Sequence, residues 1–187
     1  MTIREHEQLG QLQLEIARHW FRLAEDIDSV EAQFFFCYTA FNALFFYWRL
    51  VDGLKNASEH DQIENLLRRL GDGTWRRLST EGSTGIGFFV KRPPIEKMDE
   101  RDDQNPLHGD PRLGERHQRV LRDTGAGELD KLIALGKIIY IVRCNLCHGS
   151  KGVIGDDMEV IGRATGLLRL ITDEAIRYTG DQLDDEI

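Results

Sequence analysis

The chain has 187 residues, with 24 lysines and arginines against 32 aspartates and glutamates, a formal net charge of −8. Hydrophobic residues at 41% and charged residues at 30% are the balance of a folded chain rather than a disordered one, and the length suits one domain with a sizeable core. A pI near 5.3 excludes a surface that coats nucleic acid broadly, though not a small local basic site.

The opening residues, Met1-Thr2-Ile3-Arg4-Glu5-His6-Glu7, are charged and no apolar signal core follows them, so a cytoplasmic protein is expected. The three cysteines, an odd number, read as reduced thiols. Leu9, Leu12, Ile16, Trp20, Leu23 and Ile27 form a stripe that predicts a helix over 4–27. Ser29 is placed to cap a second helix over about 30–51. That segment is long enough to cross a membrane, but Glu31, Gln33, Asn42 and Arg49 lie within it, and polar groups are costly in lipid. It is read as a core helix, apolar on nearly every side through Phe34, Phe35, Phe36, Tyr38, Phe41, Leu44, Phe45, Phe46 and Trp48, and so central in a bundle or in a subunit interface. Asn42, in its middle, is expected to have a hydrogen-bond partner.

A shorter helix is predicted over 59–70, ending at Gly71. Residues 71–127 change character: Gly82-Ser83-Thr84-Gly85, Pro93-Pro94 and Asn105-Pro106 are breaking signals, with a short helix possible at 112–122. Leu129, Leu132, Ile133, Leu135, Ile138, Ile139, Val142 and Leu146 predict a helix over about 127–147, in which Gly136 either permits a close helix contact or costs some helix stability and after which Gly149 is placed to end it. A last helix is expected over about 157–178, followed by a frayed acidic tail from Asp181 to Ile187. No strand alternation and no repeat stand out. The fold class is therefore all-α: one domain over 1–187, an antiparallel helical bundle of four to five core helices, with 71–127 as an irregular insertion or flexible loop.

Three chemistries compete for Arg143-Cys144-Asn145-Leu146-Cys147-His148-Gly149-Ser150-Lys151. Cys144-x-x-Cys147-His148 matches the haem-attachment pattern, but covalent attachment belongs to exported proteins. The same thiols and imidazole supply three zinc ligands, with a fourth needed from His108, His117 or Cys37, none at a persuasive spacing. Arg143 and His148 form R-x4-H, which suits phosphodiester chemistry. The bare pair is weak, since Arg112 and His117 repeat it inside the insertion. Its place at the end of an amphipathic helix distinguishes Arg143/His148. Arg68, Arg69, Arg76 and Arg77 are the best candidates for an RNA-contacting patch, the alternative being a solvated helix face.

The run from Tyr140 to Lys151 resembles the signature of the HEPN superfamily, and Tyr38-Thr39-Ala40-Phe41-Asn42-Ala43-Leu44-Phe45 resembles that family's Phe-Asn-bearing second helix. Together the motifs and helix order cover about residues 5–70 and 127–178. The resemblance implies an antiparallel helical bundle that dimerises. Its active members are metal-independent endoribonucleases of toxin–antitoxin, CRISPR-linked and phage-defence systems. It makes Arg143 and His148 the catalytic pair, RNA the substrate, and an antitoxin or other defence protein a further partner; no cofactor and no metal are expected. Family members often carry a polar residue directly after the arginine, where this chain has Cys144, with Asn145 one place later. A subfamily tyrosine two places after the histidine, the target of a nucleotidyltransferase antitoxin, is Ser150 here, and that partner is not carried over.

RNA supplies its own nucleophile, the 2′-hydroxyl. An imidazole titrating near neutrality can move its proton, and a guanidinium can bind two phosphate oxygens. Asn145 and Lys151 are candidates to bind phosphate or orient the imidazole, and Asn42 to orient substrate, its alternative being a packing role. Five helical residues set Arg143 and His148 about 140° apart round the axis. Either the helix ends near Cys147 or two subunits bring their pairs together on a two-fold axis.

Overall fold

The computed structural model describes residues 3–94, 112–147 and 156–185. They form eight α-helices and no strand. In chain order these are α1 (Ile3–Asp26), α2 (Val30–Val51), α3 (Glu59–Leu70), α4 (Asp72–Glu81), α5 (Ser83–Lys91), α6 (Leu113–Arg122), α7 (Glu128–Cys147) and α8 (Asp156–Asp185). The all-helical bundle expected from periodicity is the fold observed.

α2 is its axle. Ser29 caps it by accepting from the Ala32 backbone N–H, and the short 27–29 link folds α1 back along it. α1, α3 and α8 all pack on α2, which is why ten of its residues, from Phe34 to Trp48, are buried. By length and composition α2 could cross a membrane, yet 56% of its apolar window is buried inside the protein. One core joins Leu14 of α1, Phe34 and Leu44 of α2, Ile63 and Leu67 of α3, Leu135 of α7 and Leu168 of α8.

α3 and α7 lie antiparallel. Gly136 lets them approach: a Cβ there would sit 2.3 Å from Leu67 Cδ1. Of the two roles open to Gly136, the close contact is the one seen.

The structure departs from expectation in three places. The stretch 71–127, expected to be irregular apart from a possible short helix at 112–122, contains α4 and α5 among its described residues, besides α6, which matches that short helix. Glycine punctuates here rather than disorders. Gly71, at φ +71°, turns the chain between α3 and α4, and Gly82 and Gly85 pack closely on Leu167 of α8. Fully buried Leu78 and Phe89 anchor α4 and α5. Second, the tail expected to fray continues α8 to Asp185. Leu183 is 2% exposed because Gly10 of α1 leaves room for it beside Tyr47. Third, Asn42 is exposed. It shares one narrow strip of α2 with Phe35 and Phe46, 38% and 37% exposed, and with half-exposed Thr39. Positions i, i+4, i+7 and i+11 fall on one helix face.

Candidate functional site

Arg143 leaves α7 on the face it shares with Lys137 and Tyr140, the partly exposed stripe of an otherwise buried helix. The start of α3 runs along this stripe in the opposite direction. Lys137 Nζ donates to Glu64, the Tyr140 ring meets His60 edge-on at 5.9 Å, and an Arg143 Nη1 lies 3.5 Å from Glu59 Oε2. Polar groups pair rung by rung along two antiparallel helices.

Ser58 caps α3, its Oγ accepting from Asp61 N–H, which fixes Glu59 and His60 in the first turn. Glu59 Oε1 accepts from the Tyr38 hydroxyl at 3.0 Å. Tyr38 is 5% exposed, packed between Phe34 and Phe45, and its ring lies 5.4 Å beneath the Arg143 guanidinium. One phenol therefore supports the cation through its face and the carboxylate through its hydroxyl.

Charge follows from this packing. Burial pushes the Tyr38 phenol well above its ordinary value, and Glu59 adds to the effect; the group is a hydrogen-bond donor, not a proton shuttle. Burial works against the Arg143 charge, but Glu59 and the neighbouring hydroxyl and thiols outweigh it, so the guanidinium is held above its ordinary range. Burial raises the Cys144 thiol against the opposing pull of Tyr140 and Arg143. Arg143 is therefore a permanently charged, part-exposed guanidinium whose charge Glu59 partly offsets.

His117 of α6 stacks obliquely beside His60, ring centroids 6.2 Å apart. Burial lowers both imidazoles, with Lys137 adding to it, His117 to about 4. The Nε2 atoms of both are buried and make no hydrogen bond among the described residues. This histidine pair is a feature that sequence reasoning missed, because α6 meets α3 only in the fold.

Comparison with family models, with curated proteins and with solved structures finds no match. The site rests on its own geometry.

Of the residues singled out in the sequence, Arg143 is half-buried with 28% of its side chain exposed. Asn145 is 6% exposed and lies about 200° round α7 from Arg143, away from its open face. Asn42 is exposed on α2 one turn beyond Tyr38. His148 and Lys151 lie outside the described residues. Cys144 and Cys37 are buried and Cys147 is exposed; burial drives the Cys37 thiol up to about 12. Among the described residues no three His, Cys, Asp or Glu side chains gather as a metal site.

The arginine cluster of α3 and α4 does not form a free basic face. Arg68 pairs with Glu64, Arg69 with Asp52, Arg76 with Glu128, and Arg77 with Glu81, Asp173 and Glu174. The excess of carboxylates in the chain supplies a partner to each. A groove of about 530 Å³ between α4 and α8 is lined by Arg77, Arg177, Glu174 and Asp181, charges that largely cancel. Glu59 and Tyr38 are the contributors that spacing did not disclose. The only sequence signal for Glu59 was the Ser58 cap beside it.

Proposed function

We propose that the chain is a metal-independent endoribonuclease of HEPN type, acting as a homodimer. The observation that carries the reading is Arg143, near the end of α7, held part-exposed over the Tyr38 ring rather than lost in the core, with His148 five residues further on in the sequence. The 2′-oxygen attacks phosphorus as an imidazole accepts its proton. The P–O5′ bond then breaks as a proton passes to the leaving oxygen, giving a 2′,3′-cyclic phosphate and a 5′-hydroxyl. Arg143 binds the phosphate oxygens whose charge grows in the transition state. A two-fold axis supplies two imidazoles, one to accept and one to donate.

The exposed Phe35, Asn42 and Phe46 strip is the face proposed to meet the second subunit. It adjoins Tyr38, and hence Arg143, so pairing there would draw the two sites together. The resemblance of both motifs further suggests a toxin, defence or stress role, with an antitoxin or other defence protein as partner and RNA as substrate.

The test is incubation of the purified protein with single-stranded RNA in EDTA, beside Arg143→Ala and His148→Ala. Cleavage to cyclic-phosphate ends by the parent and loss in both variants is the expected result. If both variants cut as fast as the parent, the reading is wrong. Phe46→Lys is expected to give a monomer in sedimentation and to lose activity with it.

A second reading, a non-catalytic helical dimer that binds RNA or a partner protein, is favoured by the net charge of −8 and by the engaged arginines of α3 and α4. RNA or protein binding without turnover would support it.

A further inference from the structure

We propose that Glu59 is the positioning residue for Arg143, with Tyr38 setting Glu59 in turn. The inference rests on the reading of Arg143 as the phosphate-binding group. An arginine on a helix surface has many rotamers, and a phosphate that must first select one loses affinity and rate. Here the choice is made in advance. The two carboxylate oxygens are divided: Oε1 takes the Tyr38 hydroxyl at 3.0 Å, and Oε2 faces Arg143 Nη1 at 3.5 Å. The Tyr38 ring supports the guanidinium from below, and Tyr38 is itself locked by Phe34 and Phe45. The Ser58 cap fixes the backbone turn that carries Glu59.

The contact is one-sided. The Nη1–Oε2 distance of 3.5 Å is longer than the 2.7–2.9 Å of a full charge-assisted hydrogen bond, and Cys144 is the other side chain that engages the guanidinium. A guanidinium has five N–H donors, so this edge can be held while another meets a phosphate. The arrangement has an electrostatic consequence. A carboxylate beside a phosphate site repels the ligand even as it orients the arginine. Glu59 should therefore trade binding for rate, which a merely structural residue would not do.

The experiment compares the parent with Glu59→Gln, Glu59→Asp, Tyr38→Phe and Arg143→Ala by three measurements. The first is the Arg143 Nε–Hε NMR cross-peak, assigned by its absence in Arg143→Lys and independent of activity. A sharp, slowly exchanging peak in the parent is expected to broaden or vanish in Glu59→Gln and Tyr38→Phe. The second is binding of a 2′-O-methyl oligonucleotide, which cannot be cut. Glu59→Gln is expected to bind it several-fold more tightly and Arg143→Ala more weakly. The third is turnover. Glu59→Gln is expected to lose between about tenfold and a hundredfold in kcat, the usual effect of misplacing a positioned group by about an ångström, with KM unchanged or lower. Glu59→Asp should recover part of the loss.

An unchanged Arg143 cross-peak in Glu59→Gln, or weaker oligonucleotide binding by that variant with its fold intact, overturns the proposal. If the parent itself cuts nothing, the ribonuclease reading falls, while the cross-peak and the oligonucleotide still decide whether Glu59 positions Arg143.

Discussion

Acidification should loosen this fold earlier than its carboxylates alone would allow, and His117 is the reason. Its ring lies on α6 beside α3 and α7, its Nε2 makes no hydrogen bond among the described residues, and the described groups facing it are His60 and Glu64 from α3, Lys137 from α7 and Arg116 from its own helix. Burial, then Lys137, His60 and Arg116, lower it from the ordinary 6.5 to about 4. At about 1.4 kcal/mol per pH unit, full expression of that difference penalises the charged ring by roughly 3 kcal/mol. Partial exposure of the ring lets solvent screen the effect, so a loss of about 1–2 kcal/mol is the working figure. The fold favours the neutral ring, so stability is whole above about pH 6.5 and declines as pH falls toward about 4. Asp52, Glu64 and Glu174 are held below their ordinary values because their basic and amide partners outweigh burial. Their contributions disappear only at lower pH, which leaves the interval from about pH 7 to 5 to the histidines. Denaturant unfolding across that interval should show a falling midpoint in the parent and a flatter profile in His117→Gln, with His60→Gln intermediate. If the parent midpoint does not move, or if His117→Gln falls in parallel with it, the account of the pair is wrong.

Three further substitutions probe the packing. Gly136→Ala should destabilise by about 1–2 kcal/mol, overpacking against Leu67 exceeding the gain in helix propensity; an unchanged or raised Tm would refute the close approach of α3 and α7. Thr179→Val removes the acceptor of the Trp48 indole N–H, a buried bond of 3.0 Å, and should cost about 1–3 kcal/mol through the unpaired donor, read by urea unfolding. Leu183→Ala should cost about 2–4 kcal/mol if the last turn of α8 is core; a change near zero by the same measurement would mean that it is not.

The long helices are legible because each carries its own instructions. Ser29 caps α2, Ser58 caps α3, and apolar residues recur at helical spacing along α1, α7 and α8. α5 is illegible for the opposite reason. Two of its nine residues are glycine, and burial of Phe89, with Ile86, Phe88 and Val90 packed beside it on the finished bundle, outweighs that local preference. The helical tail is hidden likewise, since the room for Leu183 is made by Gly10 at the far end of the chain. Asn42 misled because an apolar neighbourhood in sequence was taken for one in space; with Phe35 and Phe46 it lies on an exposed strip of α2. In the candidate site, Arg143 is visible from a motif on one helix. Its supports, Glu59 and Tyr38, come from two other helices, and no spacing rule connects them to it.

The bond between Trp48 and Thr179 spans 131 residues, and α8 is a main partner of α2. At ribosomal rates of about 5–20 residues per second, α2 waits on the order of ten seconds for α8 to be made. For that interval a greasy segment of membrane-spanning length has only α1 and its near neighbours for shelter. Nascent chains halted before α8 should therefore recruit chaperones, or a membrane, far more readily than the finished polypeptide does.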